Sequence, residues 1–314
     1  MFLYKKIYMN YNIMIYKIRI LDNNCCLSIN KDYYSMQNYE QLINYFFGNI
    51  EFKIVNINEN ADICLFSNHF TDIGLLRDNE INILISIENI INRNFHWYKH
   101  YNKYGEYGNK KIKIYIYNHI ERIIKTDNYI AIPTIYTRIN YYKKNYNNYK
   151  NHDKINTSFI DKKFCLMINK SGLNPEINTI VNELSKIDKI DNINMYNNLI
   201  LRKSCYNSIE LLNVLNKYKF IICYENSYNN GYITEKIFNC FFAKTIPIYN
   251  GSETISNYIN ENSFINVRSS NYIELIKELN ENENLYMSYI NSNKISNNYN
   301  DENYEELLLN NLKK

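Results

Sequence analysis

Short Ile-rich runs alternate with helical stretches along most of this chain, and that alternation limits the fold more than any other feature. Runs rich in β-branched and aromatic residues, bounded by polar turns, predict strands. In the first half they lie at 17–21, 51–57, 61–67, 81–87, 112–117 and 129–132, and residues 38–48 read as a helix ending at Gly48. Strands separated by helices or long crossings predict parallel α/β units.

The second half repeats the pattern after a polar stretch. Residues 137–158 are rich in Lys, Asn and Tyr, and we predict a linker there. The elements expected beyond it are strands at 163–168, 218–224 and 245–249, and helices at 175–187, 207–217, 272–279, 283–291 and 303–313. A chain of 314 residues suits two domains. We therefore predict an N-terminal α/β domain at 1–150, a second at 151–290 and a helical tail at 291–314.

Composition excludes several classes of protein. The chain has 33 Tyr but only 7 Gly and 3 Pro, a skew that an A/T-rich genome explains and that excludes collagen-like chains. No run of 18 apolar residues and no signal-peptide core occurs, so we expect a cytoplasmic protein without a membrane anchor, of viral or bacterial origin. A net charge of +4 from 36 basic and 32 acidic residues is too balanced to indicate a nucleic-acid partner.

The potential metal ligands lack the spacing of a metal site. Seven cysteines contain no CxxC pair, and several lie in predicted strands, which favours buried thiols. Five histidines contain no HExxH pair, and His96 with His100 beside Trp97 is a weak signal. We therefore predict no metal site.

Residues 218–252 carry the most specific pattern in the chain. A buried strand ends in Glu225-Asn226-Ser227, a turn follows, Tyr232–Ile237 opens a helix, and the next strand is closed by Gly251. Ligands of parallel sheets bind outside the carboxyl ends of the strands, and a helix N-terminus there attracts phosphate. A Lys can neutralise a diphosphate, and a neighbouring Glu can accept hydrogen bonds from ribose hydroxyls. The pattern therefore favours a nucleotide sugar over an ordinary Glu-Lys helix start.

This string resembles the signature of the α-1,3-fucosyltransferases of glycosyltransferase family 10. The resemblance covers 218–268, including Thr245–Tyr249, Gly251-Ser252 and Asn262–Val267, and a looser match extends over most of the chain. It implies the GT-B fold, two Rossmann-like α/β domains with parallel sheets facing across a cleft. It also implies transfer of fucose from GDP-fucose, with inversion, to a hydroxyl of a glycan acceptor, without an obligatory metal or other cofactor.

The resemblance also implies roles for individual residues. Asn226 and Tyr232 match positions near the diphosphate, Glu235 matches the ribose-binding Glu, and Lys236 matches the diphosphate-binding Lys. An inverting transfer needs a carboxylate that takes the proton of the acceptor hydroxyl. Glu88, after the strand that ends at Ile87, matches that base, and a surface carboxylate is the alternative reading.

The chain departs from the family pattern at two places in its second half. The family carries an Arg after the strand that matches 163–168, and here Lys170 takes that region, with Arg202 and Lys203 as other candidates. Asn250 stands where an aromatic residue is common. These departures leave two alternatives open: a GT-B glycosyltransferase that uses another nucleotide sugar, or a non-catalytic glycan-binding protein.

Overall fold

The computed structural model describes residues 15–21, 51–67, 75–86, 106–107, 110–111, 114–117, 130–169, 175–194, 208–226, 228 and 230–299. Two larger sheets organise these residues, and every strand pairing in both sheets is parallel. The predicted α/β class with two parallel sheets is confirmed.

The first sheet is built from strands of the first half of the chain. They are β1 (Tyr16–Leu21), β2 (Phe52–Ile54), β3 (Ile63–Ser67), β4 (Ile81–Ser86), β7 (Ile114–Tyr117) and β8 (Ile130–Pro133). Their order in the sheet is β2-β1-β3-β4-β7-β8. A separate antiparallel pair joins β5 (Glu106–Tyr107) to β6 (Lys110–Lys111). All six predicted strands of the first half are present, whereas the predicted helix at 38–48 lies outside the described residues.

The second sheet is built from strands of the second half. They are β9 (Lys163–Asn169), β10 (Ile190–Asn194), β11 (Tyr218–Tyr224), β12 (Ile246–Asn250) and β13 (Ile265–Asn266), in the order β10-β9-β11-β12-β13. The helices of the described ranges are α1 (Thr134–Lys150), α2 (Pro175–Leu184), α3 (Ile209–Asn216), α4 (Glu235–Phe242), α5 (Tyr272–Glu281) and α6 (Glu283–Asn291).

Apolar layers cover both faces of the second sheet, as a parallel sheet requires. Successive residues of β11 point to opposite sides, so Ile221 joins one buried cluster and Phe220 the other. The first cluster takes in residues of α1, α3 and α4, and the second takes in residues of α2, α5 and α6. The core therefore fixes the position of α4 against the sheet.

The linker predicted at 137–158 is wrong over 137–150, because residues 134–150 form the helix α1. Ile135, Ile139 and Tyr142 follow helical spacing and are buried on one face. Tyr142 lies with its ring centroid 5.1 Å from that of Phe242 on α4. The helix follows β8 of the first sheet directly, yet it packs in the core of the second sheet.

Two smaller differences concern chain ends and helix starts. The helix predicted from Tyr232 begins at Glu235, because Gly231 adopts φ 76° and Thr234 is extended at φ −99° and ψ −174°. Residues 292–299 are irregular, and Ile295 forms an antiparallel bridge with Ile259. The predicted helix at 303–313 lies outside the described residues. In the described ranges, no helix has the length and apolar character needed to cross a membrane.

Candidate active site

Polar residues collect where β11 and β12 end side by side. Tyr224 pairs with Asn250 in the last register position of the two strands. The backbone N–H of Glu225 then donates to the carbonyl oxygen of Asn250 over 2.8 Å, which extends the pairing by one residue. This edge is the carboxyl end of a parallel sheet, where ligands of such sheets bind.

Glu225 caps the helix that starts the site. Its Oε1 accepts from the backbone N–H of Thr234 over 2.7 Å, and its Oε2 accepts from the Thr234 hydroxyl over 2.7 Å. Thr234 is the N-cap residue of α4, and its own side chain makes no capping hydrogen bond. A carboxylate from the neighbouring strand end thus satisfies an N-terminal donor of the helix. Since Glu225 is buried, strand end and helix start are held as one unit.

Lys236 extends from the first turn of α4 to the same carboxylate. Its Nζ donates to Oε2 of Glu225 over 3.0 Å and to Oγ1 of Thr234 over 3.1 Å. Burial acts to lower the pKa of Lys236, but the charges of Glu225 and Glu235 outweigh it and raise that pKa above its ordinary value. The ammonium is therefore charged at neutral pH, and its side chain keeps 31% exposure.

Glu235 is the first residue of α4, and its carboxylate forms an ion pair with a residue of α1. Nη1 of Arg138, on α1, lies 3.2 Å from its Oε2. The Glu235 side chain is 21% exposed, whereas the Arg138 side chain is only 7% exposed. A carboxylate in the first turn of a helix is also favoured by the helix dipole. The start of α4 thus presents a carboxylate and an ammonium side by side.

Two glycines allow the chain to pass this close. The backbone N–H of Gly231 donates to the side-chain oxygens of Ser252 over 2.9 Å and Thr254 over 3.2 Å, in a turn that needs positive φ. A Cβ on Gly251 would lie 2.4 Å from the Tyr249 hydroxyl oxygen and 2.6 Å from Cγ of Glu225. Gly251 therefore fits directly against the capping carboxylate.

The structure brings four of the six predicted site residues together. Glu235 and Lys236 are adjacent at the helix start, and Asn226 is exposed immediately after Glu225. Tyr232 is 2% exposed, and its charge interaction contributes to the raised pKa of Lys236. The other two, Glu88 and Lys170, lie outside the described residues, as do Arg202 and Lys203.

Sequence reasoning misses the central position of Glu225 and the contribution of Arg138. The sequence feature that could identify Glu225 is its position directly after a predicted strand and before the turn that leads to the helix. Arg138 is hidden because its segment reads as a linker. The helical spacing of Ile135, Ile139 and Tyr142 is the signal that could reveal it.

A second polar group lies across the same edge, beside the start of α2. The Tyr228 hydroxyl donates to Oε2 of Glu176, and Nδ2 of Asn250 lies 3.3 Å from both that oxygen and the Tyr228 hydroxyl. Burial, followed by the hydrogen bond to Glu176, raises the pKa of Tyr228. Asn250, which departs from the expected aromatic residue, thus joins β12 to α2 by hydrogen bonds.

Metal ligands do not cluster in the part of the chain that the structure describes. No group of three or more His, Cys, Asp or Glu side chains there could hold a metal ion. Asp191 instead lies 2.9 Å from Nζ of Lys163 and accepts from the Tyr218 hydroxyl over 2.8 Å. Four cysteines of the described ranges, Cys64, Cys165, Cys223 and Cys240, are buried free thiols, as the sequence predicts for those positions.

Solved structures share this architecture. A crystal structure of an alpha1,3-fucosyltransferase aligns with a TM-score of 0.66 over 96% of this chain and 91% of that one, at 19% identity. A structure of an alpha1,3-fucosyltransferase with GDP-fucose aligns with a TM-score of 0.61 over the same shares, at 20% identity. At such identities the likeness establishes the fold, which is GT-B-like.

Curated relatives match one segment of the chain. Over 86 residues it is 40% identical to alpha-(1,3)-fucosyltransferase FucT of Helicobacter pylori, covering 26% of this chain and 18% of the relative. Over 91 residues it is 37% identical to 4-galactosyl-N-acetylglucosaminide 3-alpha-L-fucosyltransferase 9 of Mus musculus, covering 27% and 25%. The matched segment thus spans a quarter or less of the length of these relatives.

A family model matches a longer part of the second half. Residues 158–307 match the model described as glycosyltransferase family 10 (fucosyltransferase) C-term. The match contains β9 to β13, the helix α4 and all the residues that surround Glu225. The family resemblance inferred from the motifs is thereby confirmed. Over residues 158–307, this chain is therefore similar to the C-terminal domain of glycosyltransferase family 10, the fucosyltransferases.

Proposed function

We propose that this protein transfers fucose from GDP-fucose to a hydroxyl of a glycan acceptor, with inversion at the anomeric carbon. The match of residues 158–307 to the fucosyltransferase C-terminal domain carries the proposal. One of the structural neighbours is an alpha1,3-fucosyltransferase with GDP-fucose, which supports this choice of donor. The geometry around Glu225 supports it too, because a carboxylate and an ammonium stand together at a sheet edge suited to a nucleotide.

In this proposal Lys236 and Glu235 bind different parts of the donor. The ammonium of Lys236 stabilises the diphosphate, whose negative charge grows as the bond to fucose breaks. The Glu235 carboxylate accepts hydrogen bonds from the ribose hydroxyls. Asn226 and Tyr232 support the diphosphate side of the site, and Lys170 supplies a further positive charge. These fixed positive groups take the place of a metal ion, so no cofactor is required.

The acceptor side of the proposal rests on Glu88. This carboxylate takes the proton of the acceptor hydroxyl. At the same time the hydroxyl oxygen attacks the anomeric carbon of fucose, and GDP departs with the bonding electrons. The assignment follows from the family resemblance after the strand β4. We place the N-terminal, acceptor-side domain at 1–150, with its last helix α1 packed on the donor domain at 151–290, and a tail at 291–314. The protein acts in the cytoplasm on a glycan, not on nucleic acid.

A donor screen with two matched pairs of variants tests the function. GDP-fucose should be turned over in the presence of EDTA, while GDP-mannose and UDP-sugars should not. Glu235→Gln and Lys236→Met should each weaken GDP binding about tenfold or more, the loss of one charge-assisted hydrogen bond. Glu274→Gln and Lys277→Met are the controls, because both residues are exposed on α5 and Glu274 also lies in a first helical turn.

The outcomes separate the alternatives. Turnover with another nucleotide sugar alone would favour a different GT-B glycosyltransferase. Glycan binding without turnover of any donor would favour a binding protein and contradict the proposed reaction. Glu88→Gln should abolish transfer while GDP binding stays unchanged, and retained transfer would remove Glu88 as the base.

A further inference from the structure

Arg138 reaches the candidate site from outside the segment that carries the motif. It is 97 residues away from Glu235 in sequence and belongs to α1, which follows the first sheet. Its Nη1 donates to Oε2 of Glu235 over 3.2 Å. Arg138 is 6% exposed as a residue, so this guanidinium is a buried group directed at a partly buried carboxylate.

The backbone around Arg138 is fixed by packing. Ile135 and Ile139, on either side of it in the helix, are both fully buried. They belong to the same buried cluster as Ile233 and Ile237, which flank the start of α4. The helix that carries Arg138 is therefore packed against the turn that presents Glu235.

We propose that Arg138 is a positioning residue that holds the Glu235 carboxylate in the orientation that accepts the donor's ribose hydroxyls. The inference rests on the proposed function, because it requires Glu235 to face the ribose. An ionised carboxylate has about four acceptor positions on its two oxygens, so a carboxylate can accept from an Arg and from ligand hydroxyls at the same time. An unanchored Glu side chain would have to lose rotamer freedom on each binding event.

The opposite role, a purely structural one, would have a different signature. If the ion pair only fastens α1 to α4, its loss weakens the fold and affects every ligand of the site equally. If it orients Glu235, its loss affects only nucleotides that carry ribose hydroxyls. Arg suits the second role better than Lys because its guanidinium is planar, rigid and always charged.

The test compares GDP with 2′,3′-dideoxy-GDP, measured by titration calorimetry on the full chain. The comparison includes wild type, the single variants Arg138→Gln, Arg138→Lys and Glu235→Gln, and the double variant Arg138→Gln/Glu235→Gln. Lys144→Gln, an exposed change on the same helix, is the control. Thermal unfolding of each variant establishes that it is folded.

We expect Arg138→Gln to weaken GDP binding about tenfold, the loss of one well-placed charge-assisted contact, and to leave dideoxy-GDP binding unchanged. Arg138→Lys should retain part of the GDP affinity. The double variant should bind GDP no more weakly than Glu235→Gln alone, because both changes remove the same contact. With GDP-fucose, Arg138→Gln should raise KM and leave kcat within about twofold.

Equal losses for GDP and dideoxy-GDP, or no loss at all, would overturn the positioning role of Arg138. If Arg138→Gln fails to fold, the Arg138→Lys comparison decides by the same criterion. If wild type binds both nucleotides equally, or Glu235→Gln changes neither, then Glu235 does not contact the ribose and the proposed donor site fails as well. If Glu235→Gln discriminates and the Arg138 variants do not, only the inference about Arg138 fails.

Discussion

Two groups of buried charges serve the two halves of the molecule in different ways. In the first half, Nη2 of Arg19 lies 2.5 Å from Oε2 of Glu80, and both side chains are fully enclosed. Arg19 also donates to the carbonyl oxygens of Ile57 over 3.2 Å and Leu75 over 2.7 Å. In the second half, Lys236 and Glu235 keep 31% and 21% exposure while they bind Glu225 and Arg138.

The difference in exposure between the two groups indicates different roles, structural for the enclosed pair and ligand-binding for the partly exposed group. A fully enclosed pair can exchange neither partner, so its hydrogen bonds hold loops against the first sheet. A pair that keeps part of its surface can add a ligand while retaining its protein partner. The second group therefore has the geometry to orient charges for binding, at the carboxyl edge where ligands of parallel sheets bind.

Removal of the enclosed carboxylate should have the largest effect on stability. Glu80→Ala leaves Arg19 buried without its carboxylate partner, and breaking such a pair costs about 3–5 kcal/mol. Urea unfolding measures the loss, and the folded fraction should bind GDP with wild-type affinity. Glu278→Ala, exposed on α5, is the control. A cost below about 1 kcal/mol would place the pair with ordinary surface salt bridges and erase the contrast.

A single methyl group beside Glu225 should couple stability to the site. In Gly251→Ala the new Cβ would lie 2.6 Å from Cγ of Glu225, so the carboxylate or the turn has to move. Overpacking of this kind costs about 1–3 kcal/mol. We expect lower thermal stability together with weaker GDP binding, whereas Asn257→Ala at an exposed position should change neither. Unchanged GDP affinity would show that Glu225 can shift without disturbing Lys236.

The charge of Glu225 should set the alkaline limit of donor binding. Burial acts to lower the pKa of Lys236, but Glu225 and Glu235 raise it above its ordinary value, so the wild-type ammonium persists to higher pH than that of a free lysine. In Glu225→Gln one of the two carboxylate charges that raise the pKa of Lys236 is lost, so this pKa falls and deprotonation begins at lower pH. Above neutral pH, the dissociation constant for GDP should rise more steeply in the variant than in wild type, by up to about tenfold, or ~1.4 kcal/mol. Parallel pH profiles would contradict this coupling.

The second sheet and its motif are readable from the sequence for physical reasons. Strands such as β9 and β11 are continuous apolar runs because both faces of the sheet are covered. Gly231 and Gly251 stand out in a chain with few glycines, and each meets a steric demand that other residues fail. Local sequence is informative where backbone conformation or close approach restricts the choice of residue.

The helix α1 escapes prediction because its tyrosines read as compositional background. Tyr142 is 6% exposed and lies against Phe238, Phe241 and Phe242, so it acts as a core residue. The contact between Arg138 and Glu235 joins residues 97 apart, and no local pattern encodes such a pairing. The capping of Thr234 by Glu225 is likewise a product of strand order, which places β11 beside β12.

The course of α1 also determines how the polypeptide can be divided. The family match begins at residue 158, yet Ile135, Ile139 and Tyr142 fill the buried cluster under α3 and α4. A fragment that starts at 151 would leave Phe238, Phe241 and Phe242 without these partners and would expose an aromatic surface prone to aggregation. The smallest autonomous unit of the second half therefore includes the 17 residues of α1, which ties its stability to a stretch of chain that precedes the family match.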